Sequence, residues 1–230
     1  MCGRFANAAS PDLVKARFKL ASSPFGHGGG RRGHNAEPRW NIAPSMDIDT
    51  VIETEEGPAL GDMAWGLNLS HGSRPLINAR AETMFDKPTF AASARARRCV
   101  IIASGWYEWK APKQPYYIQP QDDLPMAMAG LFWDGDGGRR CVIVTTSAEG
   151  ELAAIHHRAP VVLAADQWLD WIDPSSQKDD LDALTAPENG GSLRWHPVGA
   201  EVGSTRVNHA GLIARDDHHG KAQAAQMDLF

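Results

Sequence analysis

Short apolar runs rich in β-branched residues recur beyond Trp40, and clusters of glycine, proline or Asp/Asn separate them. Runs of this length and composition predict β-strands. Helical periodicity follows Ser10-Pro11 and is found again at residues 149–156 and 166–172. The mixture predicts an α+β fold, a single domain built on a largely antiparallel β-sheet or barrel with flanking helices. The predicted strands cover residues 48–53, 99–103, 116–118, 126–132 and 141–145.

One domain suffices for a chain of 230 residues, because two halves would each bury only a small core. Hydrophobic residues make up 43% of the chain and charged residues 22%, a balance that supports a packed interior. We predict one domain over residues 1–213 with a glycine-rich surface loop at residues 22–38, followed by a polar tail over residues 214–230.

Charge and hydropathy argue against two classes of protein. The formal net charge of −5 excludes a protein that coats nucleic acids through bulk positive charge, so any contact with a polyanion has to be local. The sequence contains no apolar run long enough to span a membrane and no secretory signal. We therefore expect a cytoplasmic protein that has no membrane partner.

The three cysteines, Cys2, Cys99 and Cys141, lack the spacing of a disulfide framework or a zinc site, and we expect neither a metal nor a cofactor. Cys99 and Cys141 each open an apolar run and are expected in the core. Cys2 differs, because removal of Met1 places a thiol and a free α-amine on one residue. Such a 1,2-aminothiol reacts with an aldehyde through a Schiff base that closes to a thiazolidine. The alternative for Cys2 is an unreactive place in a frayed terminus.

Glu108 lies in the motif GWYEW, between Tyr107 and Trp109. Aromatic neighbours exclude water from a carboxyl group and raise its pKa toward the range useful for general acid–base catalysis, provided that the group faces a cleft. A position on the solvent face of an edge strand fits the same motif equally well.

His156 and His157 end the helix-like segment EGELAAIHHRAP. Histidine transfers protons near neutral pH, but adjacent side chains on a helix point in different directions, so at most one of the two is expected to be functional. The alternative is a cation at the C-terminal end of a helix.

Asn78 and Arg80 alternate with apolar residues in PLINARAET, so both side chains are expected to leave the same face of a strand. An amide beside a guanidinium suits the recognition of a phosphate or sugar oxygen. A solvated strand face is the alternative.

The chain carries, in order, the motifs MCGRF, WNIAPS, WGL, NARAET, GWYEWK, IHHRAPVVL and WHPV. In this order they resemble the SOS response-associated peptidase (SRAP) family, whose members crosslink to abasic sites in single-stranded DNA. The resemblance covers residues 1–213, which is the whole predicted domain.

The resemblance implies a mechanism for the N-terminal cysteine. Cys2 matches the residue that forms a thiazolidine with the ring-opened deoxyribose and so shields the lesion from strand-cleaving enzymes. Glu108 matches the family's catalytic glutamate, which is expected to aid ring opening and proton transfer from the thiol. His156 matches the histidine that assists the Schiff-base steps, and Asn78 matches the asparagine that positions the N-terminal residue and the lesion. DNA lyase-like and self-directed peptidase activities are implied as well.

DNA contacts are also implied by the resemblance. Arg4 and Arg80 match contacts to backbone phosphates. Asn41 in WNIAPS and Trp65 in WGL are expected at the same interface. The segment NLSHGSR stands where relatives usually carry a tryptophan, so His71 is expected to replace the aromatic platform for a stacked base.

A second departure from the family concerns His157. Relatives commonly carry an acid at this position, where it could orient or charge His156. The pH dependence that the relatives imply is therefore not expected to transfer unchanged.

The C-terminal sequence QMDLF, with Gln226, Leu229 and Phe230, resembles short peptides by which bacterial repair proteins bind the replication sliding clamp. The alternative is a terminus that folds back on its own domain. The expected partners are thus single-stranded DNA that contains abasic sites and, through the tail, the clamp. We expect a monomer that is nucleoid-associated when bound to DNA.

Two other functions remain open from the sequence. An N-terminal-nucleophile hydrolase, peptidase or amidotransferase-like enzyme also uses a cysteine followed by glycine, with the α-amine as its base. A non-covalent reader of modified bases would bind DNA in the same cleft without forming a bond. Arg4 and the motifs NARAET and GWYEWK favour DNA over glutamine as the substrate.

Overall fold

Strands dominate the structure, and its helices are short. The computed structural model describes residues 2–20, 37–69, 74–110, 113–135, 137–187 and 191–217 of the 230-residue chain. The strands are β1 (Phe5–Asn7), β2 (Arg39–Ile42), β3 (Asp47–Ile52), β4 (Ala59–Trp65), β5 (Asn78–Arg80), β6 (Arg98–Ala103), β7 (Gly105–Lys110), β8 (Gln114–Pro120), β9 (Met126–Trp133), β10 (Arg140–Ser147), β11 (Arg158–Pro160), β12 (Val162–Leu163) and β13 (Leu193–Pro197). The helices are α1 (Pro11–Phe18), α2 (Pro88–Ala96), α3 (Trp168–Ile172) and α4 (Lys178–Leu184), with 3₁₀ helices at Ala81–Thr83, Gly150–Ala154, Ala200–Gly203 and Ala210–Ile213.

Two sheets make up the fold. One has five antiparallel strands in the order β13-β8-β7-β1-β2. In the other, β10, β4, β3, β6 and β9 pair in a closed ring, as in a small barrel. β5 and β11 extend this ring from β10, and β12 extends it from β9. Among the described strands only the pairings of β10 with β4 and β5 are parallel, so the predicted α+β fold with a largely antiparallel sheet or barrel is confirmed.

α1 begins at the residues that the sequence predicts. The hydroxyl of Ser10 accepts a hydrogen bond from the backbone N–H of Leu13 at 3.2 Å, and Pro11 occupies the first helical turn. The helix ends at Lys19, whose φ of 47° is left-handed. Phe18 packs edge-on against Trp168 of α3, with ring centroids 5.4 Å apart, which fastens α1 to the core.

Residues 149–156 differ from the predicted helix. They form only the short 3₁₀ helix Gly150–Ala154, which ends before the histidines. The segment connects β10 to its antiparallel neighbour β11, and the backbone N–H of Ala148 already donates to the carbonyl of His157 at 3.1 Å. Both ends of this connection are held by the pairing of β10 with β11, and only the short 3₁₀ helix forms between them.

Cys99 and Cys141 lie in the core, as predicted. They are fully buried in β6 and β10, the strands on either side of β9. Gly130 of β9 makes room for the first of them, because a Cβ atom there would come within 2.8 Å of the Cys99 sulfur. Their surroundings are those of structural thiols.

A core cluster between the two sheets includes Cys2 and Phe5 of the N-terminal segment together with Ile101, Met128 and Ile143 of the barrel strands. None of the helices in the described ranges combines the length and the apolar character needed to cross a bilayer. Most of the predicted loop at residues 22–38 and the tail beyond Asp217 lie outside the described residues.

Candidate active site

The candidate site lies between the two sheets at the N-terminal end of the chain. Cys2 precedes β1, and Glu108 is on β7, the strand next to β1 in the five-stranded sheet. Asn78 opens β5, and His156 lies two residues before β11. Because β5 and β11 both pair with β10, the barrel brings these two residues to the same region. The fold thus assembles four side chains that are far apart in sequence.

Cys2 is an ordered residue of the core. It is fully buried, so the frayed terminus considered from the sequence is excluded. Its carbonyl accepts a hydrogen bond from Asn78 Nδ2 at 3.0 Å, and its sulfur accepts one from the backbone N–H of Arg4. Burial, reinforced by the nearby charge of Glu108, raises the pKa of the Cys2 thiol well above its ordinary value. Cys2 is therefore held as a neutral thiol until another group takes its proton.

Glu108 faces the interior and not the solvent. Alternation along β7 places it on the same face of the strand as Trp106, and it is only 4% exposed. Burial raises the pKa of its carboxyl group from 4.5 to about 7. The two alternatives left open by the sequence are thereby resolved in favour of a desolvated acid. A carboxyl group with this pKa accepts and releases protons readily at neutral pH.

His156 faces Glu108. Its Nδ1 atom lies 4.0 Å from Glu108 Oε2, and the backbone N–H of Arg158 donates to the same Nδ1 at 3.0 Å. Burial lowers the pKa of the imidazole below its ordinary value. The ring is therefore neutral near pH 7, which suits it to accept a proton.

His157 stacks on His156, with ring centroids 4.4 Å apart and an interplanar angle of 30°. The prediction that the two side chains point in different directions is wrong, because the 3₁₀ helix ends at Ala154 and neither histidine is helical. For the same reason neither histidine caps the C-terminal end of an α-helix.

Two arginines lie near the N-terminal segment and differ in how they are held. Arg80, at the end of β5, is exposed. Arg4 is half-buried, and its guanidinium donates to Asn41 Oδ1 at 2.6 Å and to the carbonyls of Val202 and Gly203 at 2.8 and 3.2 Å. Arg80 is therefore the arginine whose charged end is open to a ligand, whereas Arg4 is largely occupied by protein acceptors.

Asn41 and Trp65 are placed differently from what the resemblance implies. Asn41 is 4% exposed, and its amide donates to the carbonyls of Ser204 and Val207, each at 2.8 Å. Trp65 has no exposed surface, and its indole donates to the carbonyl of Ile77 at 3.0 Å. The expectation of direct DNA contact by either side chain is corrected to a structural role, because both are enclosed by protein. His71 lies outside the described residues.

Two charged residues beside the site, Glu82 and Arg158, were not predicted from the sequence as site residues. The guanidinium of Arg158 forms a bidentate ion pair with Glu82, at 2.5 and 3.0 Å. Glu82 lies in the motif NARAET and Arg158 in IHHRAPVVL, and in each motif the charged residue stands beside an alanine. That local pattern is the signal that could have identified them, but nothing in it pairs one motif with the other.

No cluster in the described part of the chain brings together three or more His, Cys, Asp or Glu side chains that could hold a metal ion.

The comparisons with known proteins cover nearly the whole chain. The matching family is described as SOS response associated peptidase (SRAP), and the match spans residues 1–205. The chain is 32% identical to the abasic site processing protein YoaM of Bacillus subtilis, over 95% of this chain and 100% of that protein. It is 31% identical to the abasic site processing protein YedK of Escherichia coli, over 93% of this chain and 99% of that protein.

Two solved structures resemble this fold. A phage-related protein from Bordetella bronchiseptica is 30% identical, with a TM-score of 0.69 over 86% of this chain and 94% of that one. A protein from Bacteroides thetaiotaomicron has a TM-score of 0.74 over 94% of this chain and 100% of that one, at 22% identity. The second likeness concerns the fold alone.

Proposed function

Because the chain belongs to the SOS response associated peptidase (SRAP) family, we propose that it processes abasic sites in single-stranded DNA by forming a covalent thiazolidine through Cys2. The observation that carries the proposal is the placement of one buried thiol near an acid–base pair: the charge of Glu108 acts on the Cys2 thiol, and Glu108 Oε2 lies 4.0 Å from His156 Nδ1. The names of the relatives YoaM and YedK support abasic sites as the target.

The reaction joins the ring-opened sugar to the mature N-terminus. Removal of Met1 frees the α-amine of Cys2, which adds to the C1′ aldehyde and expels one water to give an imine. The sulfur of Cys2 then adds to the imine carbon, and the nitrogen takes up a proton. The balance is aldehyde plus aminothiol giving thiazolidine plus water, with no oxidant or reductant.

Glu108 and His156 move the protons. A buried thiol with a raised pKa is a poor nucleophile, so sulfur attack requires a base at hand. Glu108, with a pKa of about 7, takes the thiol proton and returns it to the sugar or to the ring nitrogen. His156 is uncharged near neutral pH and accepts a proton that the amine nitrogen loses as the imine forms; that proton leaves with the expelled hydroxyl as water.

Asn78 orients the reacting residue. Its Nδ2 atom holds the carbonyl of Cys2, while its buried Oδ1 atom has no hydrogen-bond partner among the described residues. An unused buried acceptor is costly unless a ligand or a new group fills it. The liberated α-amine or a sugar hydroxyl would satisfy this acceptor and be positioned by it.

DNA binding is local. Arg80 supplies an exposed cation beside Asn78, and the half-buried Arg4 adds a second positive charge, so a chain of net charge −5 still binds the DNA backbone. His71, which lies outside the described residues, is proposed as the stacking platform for a base. The proposal also includes two activities: a DNA lyase-like activity and the removal of Met1 by the chain itself. We further propose that the protein is a cytoplasmic monomer that is nucleoid-associated when bound to DNA.

The C-terminal peptide with Gln226, Leu229 and Phe230 is proposed to bind the sliding clamp. A pull-down with the full chain and with a chain that ends before Gln226 tests this. Loss of clamp recovery on truncation is expected, and equal recovery rules the contact out.

The test of the proposed function is a denaturing gel of the protein incubated with an oligonucleotide that carries one abasic site. A heat-stable, slower band is expected for the wild type and not for Cys2→Ala, which still binds the oligonucleotide in fluorescence anisotropy. Turnover of an amide substrate such as glutamine, with no retained DNA band, would favour the hydrolase. Binding without any band would favour the non-covalent reader.

A further inference from the structure

A bidentate ion pair stands directly behind the candidate site. Arg158 Nη1 donates to Glu82 Oε1 at 2.5 Å, and Arg158 Nη2 donates to Glu82 Oε2 at 3.0 Å. Nη2 also donates to the carbonyl of Thr145 at 2.5 Å. The fork of a guanidinium on a carboxylate fixes both side chains in orientation as well as in distance. The pair is therefore a rigid link and not a loose surface contact.

The barrel contributes Asn78 and His156 to the site, and each residue of the ion pair closely follows one of these two in the chain. Glu82 lies in the 3₁₀ helix Ala81–Thr83, which directly follows β5 and thus Asn78. Arg158 opens β11, two residues after His156. Between them runs β10, whose Thr145 is opposite Arg80 on β5 and opposite Pro160 on β11. The side chain of Arg158 reaches past β10 and joins these neighbours directly.

Arg158 also holds the imidazole through its main chain. Its backbone N–H donates to His156 Nδ1 at 3.0 Å. The position of that N–H depends on where the first residue of β11 is held, and the side chain of the same residue is held by Glu82 and Thr145. The guanidinium and the backbone N–H of Arg158 thus connect Glu82 and Thr145 with the ring of His156 through a single residue.

We propose that the Glu82–Arg158 pair is a positioning device that fixes the His156 ring relative to Asn78 and Glu108. This inference rests on the proposed function, since it assigns the pair to the same reaction. Neither residue touches the reacting atoms; both act through His156.

Burial makes the link persistent. The side chain of Arg158 is 10% exposed and that of Glu82 is 46% exposed, so the charged contact is shielded on one side. The hydrogen bonds from Arg158 hold the pKa of Glu82 below its usual range, and the carboxylate stays charged at neutral pH. Removal of the carboxylate leaves a nearly buried guanidinium without its counter-ion, and the guanidinium then seeks another acceptor.

The decisive variant is Glu82→Gln, which keeps the shape of the side chain and removes its charge. Its matched control is Asp134→Asn, which removes the carboxylate from the exposed pair of Asp134 with Arg139. Single-turnover crosslinking at saturating DNA, DNA affinity and melting temperature are measured for both. We expect Glu82→Gln to slow crosslinking about 10-fold at saturating DNA. DNA affinity should stay within about 2-fold, and the control should match the wild type.

Combination with His156→Ala separates positioning from a general structural role. If the pair acts through the imidazole, Glu82→Gln slows the reaction in the wild-type chain but has no further effect in the His156→Ala chain. Equal slowing in both backgrounds overturns the proposal in favour of a general structural role. A loss confined to DNA affinity overturns it in favour of a phosphate contact by Arg158.

A spectroscopic readout tests the inference even without crosslinking. The imidazole nitrogen resonances of His156, assigned by their absence in His156→Ala, are expected to shift in Glu82→Gln and to stay in place in Asp134→Asn. Unchanged resonances in Glu82→Gln overturn the positioning role. If the wild type forms no crosslink, the proposed function fails, and the inference is decided by these resonances alone.

Discussion

At the scale of single residues, the burial of Glu108 in the site lowers the free energy of unfolding. In an unfolded chain its carboxyl group ionises near 4.5, whereas in the folded protein its pKa is about 7. Between these values the folded state binds more protons than the unfolded state, so stability falls as the pH rises from about 4.5 to about 7. The complete loss amounts to about 3 kcal/mol. An acid–base group has been buried at the expense of stability.

We predict that Glu108→Gln removes this pH dependence and stabilises the protein above neutral pH. Urea unfolding of both proteins at about pH 5 and about pH 8 measures it. The wild type should lose up to about 3 kcal/mol more than the variant between the two conditions. The variant should also crosslink more slowly, because the proton acceptor for the thiol is gone. Parallel stability curves for the two proteins would contradict the raised pKa.

The sequence was most informative where a residue's chemistry is distinctive. Cys2 and Glu108 were singled out from an aminothiol and an aromatic neighbourhood, and the fold brings them together. The sequence was misleading for Asn41 and Trp65. Membership in a motif does not distinguish a residue that contacts a ligand from one that holds the chain in place. Glu82 was missed because its partner lies in a distant motif.

At the scale of elements, β7 owes its position to Gly105. A Cβ atom at Gly105 would collide with the ring of Tyr117, coming within 2.5 Å of its hydroxyl and 2.6 Å of the carbonyl of Ile118, both on β8. β7 and β8 are paired at this point, so a larger residue has to push the two strands apart. The strand that carries Glu108 thus requires glycine at its start.

We predict that Gly105→Ala lowers the free energy of unfolding by about 1–3 kcal/mol through this overpacking. Gly199→Ala is the control, since a Cβ atom there meets nothing within 4 Å. Chemical denaturation of the two variants measures the difference. Equal free energies of unfolding for Gly105→Ala and Gly199→Ala would show that β8 moves away from the added Cβ atom without a loss of stability.

Elements with strong local signals could be predicted, and those defined by distant pairing could not. The cap at Ser10 and the apolar runs of β6 and β9 fall where the sequence indicates. The closed ring depends on the parallel pairing of β10 with β4, a contact between segments far apart in the chain that no local pattern encodes. The helix predicted at residues 149–156 failed for a similar reason, because the β10–β11 pairing overrides local periodicity.

At the scale of the whole molecule, the net charge of −5 limits how DNA can be bound. A few local cations release few counter-ions, at about 0.7 per phosphate contacted on a single strand. We predict a slope between about −1 and −3 when log affinity is plotted against log salt concentration. Cys2→Ala is the protein to use, because its binding stays reversible. A slope steeper than about −5 would indicate a broad basic surface and contradict the local patch.

In the proposed reaction, the nitrogen and the sulfur of Cys2 both bond to the sugar carbon. Intact mass of the adduct before and after borohydride treatment distinguishes this product from an imine, because an imine and a thiazolidine have the same mass until reduction. We expect a product equal to the protein without Met1 plus the oligonucleotide less one water, unchanged by borohydride. A gain of two hydrogens on reduction, or an adduct that retains Met1, would contradict it.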